Sequence, residues 1–218
     1  MISILMPIYN GHEFFHESYS SILNQTFENW ELLIGIIGHQ KDSNVFTHIK
    51  SIAASNKKTK IFQFNDIKNK SITLNRLIKE CNYDIVCLLD VDDIWKKNKL
   101  KHQIKYIKKY DVVGTDCKYF GERFNKPHLP FGLIDKKTFM SYNPIINSSS
   151  MFYKKDAFWN ESIRALNDYE MWLRLNKEGK TFYNIQEELC LHRVYSSSFY
   201  NSKDNSDIEK RLKNKWYI

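Results

Sequence analysis

Apolar runs and helical patterns alternate along the first half of the chain. Apolar runs of strand length are separated by stretches in which apolar residues recur every three or four positions, the spacing of an amphipathic helix. The runs predict strands at Ile2–Ile8, Trp30–Ile37, Lys60–Phe64 and Asp84–Leu89, and the stretches between them predict helices at Phe14–Leu23, Val45–Ala54 and Ser71–Cys81. This alternation predicts a Rossmann-like α/β fold, a mostly parallel sheet flanked by helices on both faces. No Gly-x-Gly-x-x-Gly follows any of these strands, so the dinucleotide-binding fingerprint is absent.

The second half of the chain predicts a smaller part of mixed architecture. Helices are expected at Lys97–Lys109, Asp168–Glu178 and Asp204–Tyr217, and strands at Asp111–Phe120, Ser149–Tyr153, Thr181–Ile185 and Glu188–Val194. Residues 121–133 are rich in Gly, Pro, His and Asn and predict a loop. Because no internal repeat interrupts this order, we predict a single domain over residues 1–218.

Three carboxylates follow the apolar run that ends at Leu89. Asp90, Asp92 and Asp93 stand where a buried strand would end, and open α/β sheets bind their ligands just outside the carboxyl ends of the strands. Crowded acids repel one another unless a cation lies among them, and hard oxygen ligands suit Mg²⁺ or Mn²⁺. The other interpretation is a solvated turn in which an Asp caps a helix. Spacing alone leaves both open.

Composition narrows the class of protein only a little. The formal net charge is +8, which indicates either a solvated lysine surface or attraction to anionic substrates or an anionic membrane face. We expect no nucleic-acid partner, because no recognised nucleic-acid motif is present and the aromatic residues fall at core spacings.

Four widely separated cysteines form no zinc-binding spacing and suit a reducing compartment. No apolar stretch is long enough to span a bilayer and the start is too short for a signal peptide, so we expect a cytoplasmic protein, with peripheral membrane contact still open.

Four blocks of sequence, in order, resemble the family 2 glycosyltransferases, which are inverting enzymes with the GT-A fold. The blocks are Met6-Pro7-Ile8-Tyr9-Asn10-Gly11, Gln25-Thr26-Phe27-Glu28-Asn29-Trp30-Glu31-Leu32, Leu89-Asp90-Val91-Asp92-Asp93-Ile94-Trp95 and Asn167-Asp168-Tyr169-Glu170-Met171-Trp172-Leu173-Arg174-Leu175. They are similar, respectively, to the family's opening strand and nucleotide-facing turn, the approach to its second strand, its metal-binding Asp-x-Asp-Asp and the segment that holds its catalytic base. Each block is weak alone, but the four together span nearly the whole chain.

The resemblance implies different roles for different acids. Asp168 would be the general base, and Asp90, Asp92 and Asp93 would hold Mn²⁺ or Mg²⁺. It also implies a nucleotide-sugar-binding half at 1–95, an acceptor-binding half at 96–200 and a tail at 201–218 that is helical. The residues that would contact the nucleotide-sugar are Pro7, Tyr9, Asn10, Asn75, Arg76, Asp90, Val91, Asp92 and Arg193.

The structural alternatives to these roles also stand. An acid at the start of a helix stabilises that helix through its dipole, and this alone could explain Asp168. Arg193 could form an ordinary surface ion pair instead of binding phosphate oxygens in a bidentate manner.

Two departures from the family pattern bear on the donor. Ile36 and Ile37 stand where the family usually has paired aspartates, one of which recognises the nucleotide base. Base recognition would then come from elsewhere, with Gln40, Asp42, Asn65 and Asp66 as candidates, or the nucleotide is not a uridine nucleotide. The family's late Arg-x-His is Arg193-Val194-Tyr195 here, so a contact from His is lost unless the neighbouring His192 supplies it.

The sequence therefore predicts a metal-dependent inverting glycosyltransferase. The donor would be a nucleotide-diphospho-sugar, with a UDP-sugar first among the candidates, and the acceptor a glycan, a lipid-linked sugar or a protein. The Gln-x-x-Arg-Trp motif of processive members is absent, which favours transfer of single sugars. The alternative is a catalytically impaired GT-A-like module that binds a sugar or a nucleotide.

Overall fold

The computed structural model describes residues 1–41, 43–196 and 204–217. Its strands are β1 (Ile2–Ile8), β2 (Trp30–Ile37), β3 (Thr59–Phe64), β4 (Ile85–Leu88), β5 (Ile94–Trp95), β6 (Val112–Gly121), β7 (Gly132–Leu133), β8 (Met151–Tyr153) and β9 (Phe182–Val194). Its α-helices are α1 (Phe15–Leu23), α2 (Asn44–Ala53), α3 (Lys70–Lys79), α4 (Lys99–Tyr106), α5 (Thr138–Ser141), α6 (Asn167–Lys177) and α7 (Ser206–Tyr217). Short 3₁₀ turns lie at His12–Phe14, Asn147–Ser149 and Lys154–Asp156.

All the strands of the described chain belong to one sheet. The strand order is β3-β2-β1-β4-β8-β6-β9-β5, and β7 pairs with β9 beside this path. Strands β1 to β4 are mutually parallel, so their carboxyl ends meet at one edge. Strand β8 runs antiparallel to its two neighbours, whereas β6 and β9 are parallel to each other. The predicted α/β class and mostly parallel sheet are confirmed.

The sheet is covered on both faces because its central strands are apolar at nearly every position. In β1 the even-numbered residues, such as Ile4 and Met6, belong to one buried cluster together with side chains of α1 and α2. Leu5 points to the opposite face and belongs to a second buried cluster with side chains of α3 and α6. Successive residues of a strand face opposite sides, so a run without alternation is buried on both.

The second half differs in detail from the expectation. Thr181–Ile185 and Glu188–Val194 were expected as two strands, but they form the single strand β9, whose pairing with β6 shifts register around Asp116. The exposed pair Gln186-Glu187 resembles a turn in sequence, yet it lies at this irregularity, where a strand bends without ending. The short elements β5, β7 and α5 were not expected. The tail helix α7 forms as predicted within its described residues and buries Leu212 in the second cluster.

Candidate active site

The turn after β4 carries the first carboxylate of the site. Asp90 accepts hydrogen bonds from Lys70 Nζ at 2.5 Å and from Asn147 Nδ2 at 2.8 Å. Its backbone N–H donates to Ser148 Oγ at 3.0 Å, and its carbonyl accepts from the N–H of Asp93, which closes the turn. Burial raises the pKa of Asp90, but the charge and hydrogen bond of Lys70 outweigh it, so the net shift is downward and the carboxylate stays ionised.

Asp92 is a carboxylate whose ionised form is disfavoured by its surroundings. Burial and the nearby charges of Asp93 and Asp90 raise its pKa to about 7. Against this, the hydroxyl of Tyr195 donates a hydrogen bond to Asp92 Oδ2 at 3.0 Å. A bound cation would stabilise the ionised form of Asp92, because it would offset the charges of the two neighbouring acids.

Asp93 is placed differently from the other two acids. Its side chain is fully buried, and its oxygens accept from the backbone N–H of Arg193 at 2.9 Å and lie 3.0 Å from His192 Nδ1. Burial lowers the pKa of His192, but the charge of Asp93 more than offsets this and the net value is about 10, so the imidazole is protonated at neutral pH. These contacts hold β9 against the turn, and the role of Asp93 as a metal ligand stays a prediction.

Asp168 lies in the first turn of α6. The residue before the helix, Leu166, has φ of 58°, a backbone conformation that non-glycine residues seldom adopt. Asn143 Nδ2 donates to Asp168 Oδ2 at 2.9 Å, and the backbone N–H of Tyr169 also bonds the carboxylate. Burial raises the pKa of Asp168, and the charge of Lys70 opposes that shift without cancelling it.

Lys70 connects the two groups of acids. Burial lowers its pKa, but the charges of Asp90, Asp168 and Asp92 raise it, and the net shift is upward. Charges of Asp90 and Asp168 also act on each other directly. Because such interactions weaken with distance, the structure brings Asp90, Asp92 and Asp168 together around one ammonium group, although Asp168 is distant from the others in the sequence.

The predicted nucleotide-facing residues of β1 and the acid turn lie at the same sheet edge. Pro7 is buried in β1, and Tyr9 and Asn10 follow it in exposed positions. The carbonyl of Tyr9 lies 2.6 Å from His39 Nε2, which joins the ends of β1 and β2. Val91 is buried and packs close to Gly11, where a Cβ would come within 3.2 Å of Val91 Cγ1.

Asn75 and Arg76 have other contacts than those the resemblance implied. Asn75 is buried in α3, where it donates to the carbonyl of Trp159 at 2.7 Å and accepts from the N–H of Trp159 at 2.9 Å. Arg76 is exposed, lies 3.9 Å from Asp66 and covers the ring of Phe64. The hydrogen bonds of Asn75 with Trp159 fix the loop that precedes α6.

Arg193 is held on all sides by protein groups. Its guanidinium lies between the rings of Phe14 and Phe120, at 4.1 and 4.3 Å from their centroids. Its Nε donates to the carbonyl of Asp92 at 3.0 Å and its terminal nitrogen pairs with Glu17 at 2.7 Å. In this arrangement Arg193 fixes the acid turn through Nε and holds Glu17 through a terminal nitrogen.

The end of β2 carries no acid that could read a nucleotide base. Ile36 and Ile37 are 0% and 2% exposed and belong to the core. Of the four polar candidates named from the sequence, Gln40, Asn65 and Asp66 are exposed, while Asp42 lies outside the described residues.

Several residues of the site were missed by the sequence analysis. They are Lys70, Asn143, Asn147, Ser148 and Tyr195, each hydrogen-bonded to one of the three acids Asp90, Asp92 and Asp168. Three of them, Asn143, Asn147 and Ser148, belong to one short segment before β8.

No helix in the described part of the chain is long and apolar enough to cross a membrane.

Comparison with known proteins agrees with this geometry. The family model for glycosyl transferase family 2 matches residues 3–162, and the chain belongs to that family. A curated relative, the UDP-Glc:alpha-D-GlcNAc-diphosphoundecaprenol beta-1,3-glucosyltransferase WfgD of Escherichia coli, is 34% identical over 225 residues, which cover 100% of this chain and 85% of the relative. The chain is a glycosyltransferase.

Solved structures confirm the GT-A fold. S. aureus TarS in complex with UDP-GlcNAc superposes with a TM-score of 0.76 at 15% identity, over 97% of this chain and 65% of that one. The mannosyltransferase PcManGT of Pyrobaculum calidifontis, in complex with GDP-Man and Mn²⁺, gives a TM-score of 0.69 at 12% identity, over 91% and 58%. This chain therefore spans less than two thirds of the length of either structure.

Proposed function

We propose that this glycosyltransferase moves a single sugar from a nucleotide-diphospho-sugar to an acceptor hydroxyl with inversion at the sugar carbon. The observation that carries the proposal is the meeting of Asp168 with Asp90 and Asp92 around Lys70 at the carboxyl edge of the sheet. An inverting transfer needs a base on the acceptor side and charge stabilisation at the leaving diphosphate. The two groups of acids provide separate residues for these two tasks.

Asp168 is the proposed general base. Deprotonation of an acceptor hydroxyl requires an ionised carboxylate within hydrogen-bond reach, with a pKa near the working pH. Burial raises the pKa of Asp168, while Asn143 and the N–H of Tyr169 bond its oxygens and fix the direction of its carboxylate. A raised pKa makes this carboxylate a stronger proton acceptor than an ordinary exposed Asp.

Asp92, with Asp90, is proposed to hold Mn²⁺ or Mg²⁺. The raised pKa of Asp92 fits a cation-binding position, since its neighbouring charges disfavour the ion-free carboxylate. Among the described residues, no group of three or more His, Cys, Asp or Glu side chains is arranged to hold a metal. This still fits Mg²⁺, which is commonly bound by one or two carboxylates together with substrate phosphates. When bound, the ion would neutralise charge on the leaving diphosphate.

The donor is proposed to be a UDP-sugar and the acceptor a lipid-linked sugar. Support comes from the WfgD relative, whose name gives UDP-Glc as donor and a diphosphoundecaprenol-linked sugar as acceptor, and from the UDP-GlcNAc complex of TarS. The buried Ile36 and Ile37 leave base recognition to other groups. The exposed polar residues Gln40, Asn65 and Asp66 at the ends of β2 and β3 are the nearest candidates by position.

Donor binding and transfer test the proposal in two stages. The melting temperature is measured with a panel of UDP-, GDP- and dTDP-sugars, each with Mn²⁺ and with EDTA, because a ligand that binds only the native state raises it. The donor that binds is then incubated with polyprenyl-diphosphate-linked sugars, and the product's anomeric configuration is read by NMR. We expect a Mn²⁺-dependent shift with a UDP-sugar and a product of inverted configuration. Retention of configuration, or donor binding without any transfer, would contradict the proposal.

A further inference from the structure

The ammonium of Lys70 occupies the position at which a cation would neutralise Asp90. Its Nζ lies 2.5 Å from Asp90 Oδ1, and its side chain is about one third exposed, at 34%. Lys70 is the first residue of α3. A positive charge is disfavoured at the start of a helix, where the helix dipole is itself positive. The ion pair with Asp90 offsets that cost, so we attribute the lysine at this position to its contact with Asp90 and not to helix formation.

Among the described residues, protein cations pair with two of the three acids of this turn. Asp93 is paired with His192 and Asp90 with Lys70. Asp92 accepts a hydrogen bond from the hydroxyl of Tyr195, which carries no charge. A divalent cation that binds Asp92 together with Oδ1 of Asp90 would compete with Lys70 for that oxygen.

We propose that Lys70 is a built-in counter-ion that competes with the divalent cation for Asp90 and, once displaced, binds the diphosphate of the donor. The inference rests on the proposed function, because it takes Asp92 and Asp90 as the metal-binding pair. An ammonium is a compact point charge on a flexible stem, and it can move from a carboxylate to a phosphate without leaving the site. Metal and nucleotide then bind cooperatively, since the metal releases the cation that the phosphates bind.

The exchange predicts opposite effects of Lys70 on metal alone and on metal with nucleotide. Lys70→Met removes the ammonium and keeps an unbranched side chain. We expect it to tighten Mn²⁺ binding about tenfold without nucleotide, which is about 1.4 kcal/mol. We also expect it to reduce the gain in Mn²⁺ affinity that UDP produces in the parent protein. Lys70→Arg keeps a positive charge, and its Mn²⁺ affinity without nucleotide should stay near that of the parent.

Isothermal titration of the metal-free full chain with MnCl₂, with and without UDP, measures both quantities. Lys68→Met is the matched control, because it removes the same charge from an exposed position two residues earlier; its Mn²⁺ affinity should match the parent's. The melting temperature of each variant checks that it is folded, and Lys70→Gln replaces Lys70→Met if the latter does not fold. Mn²⁺ binding by the Lys70 variant that is unchanged or weaker without UDP overturns the inference, as does tightening of equal size in Lys68→Met.

Different results would contradict the cation exchange at Asp90 and the proposed glycosyltransferase function. Sugar transfer by the parent protein with no tightening of Mn²⁺ in Lys70→Met overturns the exchange and leaves the proposed function standing. Tightening of Mn²⁺ with loss of the UDP-linked gain, in a protein that transfers no sugar, supports the exchange and contradicts the proposed function.

Discussion

Arg193 donates a hydrogen bond from Nε to the main-chain oxygen of Asp92, 3.0 Å away. The same guanidinium is enclosed by Phe14 and Phe120 and pairs with Glu17. Arg193 thereby ties the acid turn to helix α1 and strand β9. The resemblance to the family implied a phosphate contact for Arg193, whereas its observed partners give it a role in positioning Asp92.

Replacing Arg193 with Lys should cost stability. Lysine cannot keep a planar group between two rings and reach both Asp92 and Glu17. We expect the free energy of unfolding to fall by about 1.5–3 kcal/mol, the range for hydrogen bonds to charged groups, with weaker Mn²⁺ binding as a consequence. Urea denaturation measures this, with Arg211→Lys on the exposed part of α7 as control. Loss of UDP affinity at unchanged stability would instead favour a direct phosphate contact.

Asp92→Asn should stabilise the metal-free protein at alkaline pH. The folded-state pKa of Asp92, raised to about 7 by burial, Asp93 and Asp90, lies above its ordinary value. Between those two values the folded state binds more protons than the unfolded state, so the parent protein loses stability as pH rises through this window. Asn carries no charge, so the variant does not lose stability as the pH rises through this window. Urea denaturation should therefore show a gain for the variant at about pH 8 that disappears towards about pH 4.

A variant less stable than the parent at the alkaline end would show that Asp92 is not under repulsion from its neighbours. Titration of the same two proteins with MnCl₂ gives the functional half of the comparison. Mn²⁺ binding should be lost in Asp92→Asn, since the proposed ligand is gone, while the parent retains it.

Asp93→Asn should have the opposite effect on stability. Asp93 is fully buried and paired with His192, and removing one partner of a buried pair costs on the order of 3 kcal/mol. We expect a large fall in the free energy of unfolding at neutral pH. Asp92→Asn is the matched comparison, because it makes the same chemical change one residue away. A stable Asp93→Asn variant that had merely lost Mn²⁺ would show that Asp93 is a metal ligand after all.

Asn143→Ala should move the pH dependence of transfer. Asn143 donates to Asp168 Oδ2 and lowers the pKa of a carboxyl that burial raises. Without that hydrogen bond the pKa of Asp168 rises further, so a higher pH is needed to ionise the base. The acidic limb of the pH–rate profile should shift upward while UDP affinity stays the same. An unshifted limb would mean that Asp168 is not the group that limits the rate on that side.

Strands β1 and β2 could be predicted closely because they are buried on both faces. Their bounds agree with the prediction to the residue, since residues typical of turns follow both runs, Tyr9-Asn10-Gly11 after β1 and Gly38 after β2. Strand β9 was divided in the prediction because Gln186 and Glu187 are exposed within a bent strand. Strand β5 has two residues, too few to produce any periodic pattern.

The site could be predicted only as far as its acids. Asp90, Asp92 and Asp168 stand out in the sequence because they follow a strand or begin a helix. Lys70 and Asn147 do not, since a single Lys or Asn has no periodicity and its pairing with Asp90 depends on elements distant in the chain. The contacts of Asp93 could not be foreseen either, because they depend on which acid of the turn faces β9.

Transfer by Asp168→Asn under single-turnover conditions tests the central claim most directly. Asn keeps the shape and the hydrogen bond with Asn143 but cannot accept a proton from the acceptor. With the donor and acceptor that the panel identifies, the rate should fall by roughly 10²–10⁴-fold, the usual contribution of a general base. UDP and Mn²⁺ affinities, measured by titration calorimetry, should match those of the parent. Transfer by Asp168→Asn at the parental rate would contradict the mechanism.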